Sequence, residues 1–92
     1  MTEKMMSKEL TIKHRLGLHA RPAAMFVQLA NKFSSDITVE RGSEKINGKS
    51  IMGIMMLAAG KGLKITVTAM GADAEEAVKA LEALVKGKFG EA

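Results

Sequence analysis

Two short segments of this chain hold the residue types with the most chemistry to offer: Gly17-Leu18-His19-Ala20-Arg21-Pro22 and Asn47-Gly48-Lys49-Ser50-Ile51-Met52-Gly53. In the first, His19 supplies an imidazole nitrogen that is an uncharged nucleophile near neutral pH, since the ordinary histidine pKa is about 6.5. A helix opening at about Ala20 places unpaired amides and a positive dipole end behind it, which favours an incoming negative group such as phosphoryl. Arg21 adds a guanidinium fork suited to phosphoryl oxygens. Gly17 permits a tight turn into the helix, and Pro22 stiffens the first turn at a position where a missing amide hydrogen costs nothing. The same helix end disfavours the imidazolium form, so the sequence predicts a His19 pKa below the ordinary value. Taken alone these residues fit plainer roles better. A histidine at a helix start also serves as a cap, a packing residue or a solvated surface group, and a short motif has low specificity. The other histidine, His14, reads as a surface or loop residue.

In the second segment Ser50 stands where a serine would cap a helix. It also fits a kinase target, because a phosphate there gains from the helix N-terminus while placing about two negative charges beside a partner surface. The stripe Ile51, Met52, Met55, Met56, Leu57 reads first as core, since helix side chains that face a sheet are apolar. Any part of it left exposed, with Lys49 beside it, would form an adaptable docking patch, because methionine accommodates several partner shapes.

The elements that must position these segments follow from hydropathy patterning. Residues 9–13 alternate as a first strand, and a helix follows over about 20–32 with Ala23, Phe26, Val27, Ala30 and Phe33 on one face. Residues 36–41 and 44–47 form a hairpin around Gly42 and Ser43. A short helix spans about 50–57, weakened by Gly53. Leu63, Ile65, Val67 and Ala69 alternate with polar residues in the clearest strand of the chain, whose half-apolar character implies an antiparallel sheet open to water on one side. Asp73 and Glu76 make a capping box for a last helix with Ala77, Val78, Leu81, Leu84 and Val85 on one face. The order strand, helix, strand, strand, helix, strand, helix favours one amphipathic sheet covered by helices on a single face. One domain over residues 1–92, with a core from about 9 to 86 and frayed termini, accounts for the whole chain.

Composition narrows the function classes. A chain of 92 residues leaves little room for an enclosed active site, so a second protein is expected to complete any chemistry at the surface. The absence of cysteine removes thiol nucleophiles and disulfides and fits a reducing cytoplasmic setting, and two histidines argue against a structural metal site. No run approaches the ~20 apolar residues of a membrane span, and the first ten residues do not read as a signal peptide. The net charge of +4, from 14 basic and 10 acidic residues, favours acidic partners, whereas three phenylalanines without tryptophan or tyrosine supply a stacking platform for nucleic acid poorly.

Together the two segments resemble the HPr family, the histidine-containing phosphocarriers of the bacterial sugar phosphotransferase system. The likeness runs from about Leu10 to Leu84 and is strongest over Gly17 to Ala24 and Asn47 to Gly53. It implies an α+β open-faced two-layer sandwich, a four-stranded antiparallel sheet with three helices on one face in βαββαβα order. It implies that His19 is phosphorylated on Nδ1, that Arg21 falls on the family arginine, and that Pro22 falls on the proline that opens the first helix. Enzyme I would be the phosphoryl donor, enzyme IIA domains the acceptors, and Ser50 the serine modified by HPr kinase/phosphorylase, with a transcriptional regulator as a further partner of that modified form. The Lys49-Ser50-Ile51-Met52-Gly53 context is similar to the branch that has this kinase. Leu16 stands where some members carry a polar residue. The expected protein is thus a cytoplasmic monomeric carrier rather than an enzyme, without cofactor, metal, nucleic acid or membrane insertion. The alternative is a nitrogen-related or purely regulatory paralogue without sugar-transport flux.

Overall fold

The computed structural model describes residues 4–12, 20–57 and 64–87. Its elements are β1 (Met5–Thr11), α1 (Ala20–Ala30), β2 (Asp36–Arg41), β3 (Glu44–Asn47), α2 (Ile51–Leu57), β4 (Lys64–Met70) and α3 (Ala74–Lys86). The four strands form one sheet in the order β1-β4-β2-β3, and every neighbouring pair is antiparallel.

Strict alternation along β4 decides which face is inside. Ile65, Val67 and Ala69 are buried while Lys64 and Met70 are exposed, as a strand packed on one side requires. Register carries that choice to the neighbours: Val67 lies opposite Val39 on β2, and Val39 lies opposite Ile46 on β3. The inner face meets Ala23, Phe26, Val27 and Ala30 of α1, Ile54 and Leu57 of α2, and Ala77, Val78, Leu81 and Val85 of α3 in one core. The other face is polar, with the Ser7 and Thr68 hydroxyls 2.9 Å apart across β1 and β4.

The hairpin turns where patterning placed it. Arg41 pairs with Glu44, and Gly42 has φ +59 with open space around its missing side chain, so backbone conformation alone selects glycine there.

β1 differs from the expected strand over residues 9–13. It begins at Met5 and ends at Thr11; Ile12 is fully buried beyond it, and Lys13 lies outside the described residues. Apolar alternation hid the first half because Lys8, which lies opposite the buried Val67, occupies an inward-facing position. An edge strand tolerates this because the Lys8 side chain stays exposed while its ammonium reaches Glu82 of α3 at 3.4 Å. Lys86 approaches the same carboxylate at 3.2 Å, and the two ammonium groups, Lys86 foremost, hold the Glu82 pKa below its ordinary value.

Asp73 also corrects the sequence reading. It occupies the N-cap position of α3, but its side chain makes no capping bond. The carboxylate instead accepts hydrogen bonds from the Ser34 amide at 2.8 Å, the Ser35 amide at 2.9 Å and the Ser35 hydroxyl. It therefore ties the loop after α1 to the start of α3. These donors, the Ser35 hydroxyl first, pull the Asp73 pKa down to about 2.

Candidate functional site

The described part of the first segment begins at Ala20, the first residue of α1. Gly17 and His19 lie outside the described residues, as do Leu16 and His14. Arg21 is exposed in the first turn of α1, whereas Pro22 is fully buried. This division follows from helical geometry, since the buried face that holds Ala23, Phe26, Val27 and Ala30 excludes the Arg21 position. Pro22 is within the first turn, where α-helical amides have no partner inside the helix, so the ring closes the start of α1 against the core without breaking a bond.

The second segment is described completely, and its geometry is built by Asn47 and Gly48. The Asn47 side-chain oxygen accepts from the Lys49 amide at 2.9 Å, and its carbonyl accepts from the Ser50 amide at 3.1 Å. The Gly48 amide donates to the Ile37 carbonyl at 2.7 Å, pinning this turn to β2. A Cβ on Gly48 would come within 2.6 Å of Ile37 Cγ2, so close approach requires glycine at this position.

Ser50 caps α2. Its hydroxyl accepts from the Gly53 amide at 3.0 Å, and its carbonyl accepts from the Ile54 amide at 3.0 Å. Gly53 is explained by the same packing: a Cβ there would meet the Asn47 carbonyl at 3.3 Å and Ile46 Cβ at 3.4 Å, so the helix lies tight on β3.

The five-residue stripe divides in a way that corrects its assignment to the core. Leu57 is fully buried together with Ile54, which lay outside the stripe, whereas Ile51, Met52, Met55 and Met56 are exposed. A seven-residue helix flanked by a sheet and by α1 has only a narrow inner face, which Ile54 and Leu57 fill. Thus the exposed apolar surface beside Ser50 is nearly the whole outer side of α2.

Two cations make long-range bonds that patterning did not foresee: Lys49, read from the sequence as part of the docking patch, and Arg41. Lys49 Nζ donates to the Phe33 carbonyl just beyond α1 at 2.7 Å, and Arg41 Nη1 donates to the Leu57 carbonyl that ends α2 at 2.7 Å. The Arg41 bond satisfies an acceptor left over at the C-terminus of α2, and the Lys49 bond ties the turn before α2 to the loop that follows α1. Nothing local in the sequence connects Arg41 with Leu57, since sixteen residues separate them. Among the described residues no cluster of His, Cys, Asp or Glu could hold a metal ion, and no helix is long and apolar enough to cross a membrane.

Comparison with known proteins finds a family model described as "PTS HPr component phosphorylation site" over residues 6–87. Phosphocarrier protein HPr of Neisseria meningitidis is 47% identical over 87 residues, covering 95% of this chain and 98% of the relative. Among solved structures, HPr-C-His from Thermoanaerobacter tengcongensis has a TM-score of 0.92 at 53% identity, covering 95% of this chain and 98% of that one. Crh of Bacillus subtilis, described as an intertwined dimer with a swapping domain, has a TM-score of 0.74 at 44% identity and covers 88% of this chain and 93% of its own.

Proposed function

The chain belongs to the HPr family of phosphocarriers, and on that footing we propose that His19 accepts a phosphoryl group from enzyme I and passes it to enzyme IIA domains. The imidazole Nδ1 lone pair attacks the donor's phosphorus in line. The bond to the donor breaks, and the acceptor's nucleophile later displaces the group from His19 by the same route. Arg21 pairs with the phosphoryl oxygens, and the opening turn of α1, with Ala20 and Pro22, lends its amides and dipole. Gly17 allows the approach to that turn. The reading is carried by the family match spanning both motifs, and the exposure of Arg21 at the start of α1 supports it.

Ser50 is the target of HPr kinase/phosphorylase in this reading, and Lys49, Ile51, Met52, Met55 and Met56 form the surface on which partners dock. Exposure of the four apolar residues beside a half-buried capping serine supports that assignment. A phosphate on Ser50 adds charge at the docking surface and slows transfer from an acidic donor without dismantling α2. The modified form engages a transcriptional regulator. The protein acts as a cytoplasmic monomer formed from one domain, and it needs no cofactor or metal for transfer; sedimentation tests the oligomeric state, since Crh is a dimer.

The deciding experiment incubates the protein separately with enzyme I plus labelled phosphoenolpyruvate and with the serine kinase plus ATP, and maps the modified residues. An acid-labile, base-stable adduct on His19 is expected in the first and a stable phosphoserine at Ser50 in the second. No adduct on His19 defeats the carrier reading and favours a regulatory paralogue. Sugar uptake restored in a host that lacks its own carrier would separate the sugar branch from the nitrogen-related one.

A further inference from the structure

The chain contains eight methionines, and those among the described residues differ steeply in exposure. Met52 and Met56 stand 69% and 71% exposed on α2, four residues apart and hence on one side of the helix; Met55 is 41% exposed. Met6 and Met25 are partly buried and packed against the core. Met5 is 62% exposed but lies on β1, the edge strand farthest from β3 in the sheet order, and so stands apart from α2.

We propose that Met52 and Met56 are a redox modification site, at which oxidation by a peroxide weakens partner docking and a sulfoxide reductase restores it. This rests on the assignment of the outer side of α2 as the docking surface. Neither side chain is used by the core, which draws Ile54 and Leu57 from this helix, so oxidation here leaves the fold intact.

The chemistry balances without a bound cofactor. The thioether sulfur attacks one oxygen of hydrogen peroxide, an S–O bond forms as the O–O bond breaks, and water leaves. Sulfur loses two electrons and the peroxide gains them. In the reverse step two thiols of the reductase become a disulfide, and the sulfoxide oxygen leaves as water. The product is polar and chiral in place of a flexible apolar group, and its oxygen must shed water at an interface that was complementary to a thioether.

The test treats the folded protein with graded hydrogen peroxide, locates sulfoxides by peptide mass spectrometry, and measures KM and kcat for His19 phosphorylation by enzyme I. Met52, Met56 and Met5 should oxidise before Met6 and Met25. KM should rise roughly tenfold with kcat nearly unchanged, the size expected for burying a polar group without a partner. Treatment with methionine sulfoxide reductases should return KM to its starting value. Met5→Leu should respond to peroxide as the unaltered protein does, whereas Met52→Leu/Met56→Leu should show no change on oxidation relative to its own untreated state. An unchanged KM in protein shown to carry both sulfoxides overturns the proposal, as does a response that persists in the double variant. The untreated arm keeps the two readings distinct: if Met52→Ala/Met56→Ala leaves the untreated KM unaltered, the docking assignment itself fails.

Discussion

Replacing Ser50 by alanine and by aspartate separates what this residue does for the fold from what a charge there does to partners. Alanine removes the hydroxyl that accepts from the Gly53 amide at 3.0 Å, leaving a first-turn donor of α2 without that acceptor. Loss of such a cap costs about 1 kcal/mol. In a domain of this size that corresponds to a fall of roughly 4–8 °C in Tm. Aspartate keeps a carboxylate oxygen at the same place and adds a negative charge at the helix N-terminus, a gain of about 0.3–1 kcal/mol that salt screens. Ser50→Asp should therefore equal or exceed the unaltered protein in stability and exceed Ser50→Ala by about 1–2 kcal/mol. Urea unfolding followed by circular dichroism, with m unchanged between variants, is the assay. If Ser50→Asp falls as far as Ser50→Ala, the capping argument is wrong, and slower transfer in a phosphorylated protein could be blamed on a damaged α2. If aspartate is tolerated as argued, slower transfer belongs to charge at the docking surface.

Three further outcomes follow from contacts away from that cap. Gly48→Ala should cost about 1–3 kcal/mol through overpacking against Ile37 Cγ2, and the penalty should shrink in an Ile37→Ala background, as a double-mutant cycle would record. Gly71→Ala should lower the unfolding midpoint without rescue from Ser35→Ala, because φ is +150 and the added Cβ would lie 2.8 Å from the Ser35 Cα; restoration by that second change would refute the account. Asp73 ionises at about 2 when folded against an ordinary 3.8, so its contribution is present above about 3.8 and fades as pH falls toward 2. Asp73→Asn should flatten the dependence of the urea midpoint on pH across that window, and an unchanged slope would show that the serine donors do not act on it.

Legibility from sequence tracked how local each cause is. The β4 alternation and the inner faces of α1 and α3 depend only on side-chain period, and patterning recovered them. The hairpin at Gly42 and the cap at Ser50 depend on the preferences of single residues and were recovered too. The start of β1 was missed because Lys8 satisfies its charge on α3, a partner 74 positions later that no local window contains. Asp73 was recognised by position but not by partner, since Ser34 and Ser35 compete for the same carboxylate from across the fold. On α2 the period gave a helix but could not say how much of its circumference the neighbours would cover. His19 itself became interpretable only through the resemblance carried by both motifs together.

The position of β1 also imposes an order on assembly. Ser7 meets Thr68 across 61 residues of chain, and β4 is the inner strand that joins β1 to the rest of the sheet. The β2–β3 hairpin and α2 can form from neighbouring residues, whereas β1 must wait until β4, the last of the four described strands, has been synthesised. During translation the first strand therefore leaves the ribosome with no sheet partner of its own, and its pairing closes the largest loop in the sheet. Because β4 arrives late while β1 waits unpaired, β1 docking is the step at which a second nascent copy could compete, and the folding rate of this domain should fall most when the β1–β4 register is disturbed.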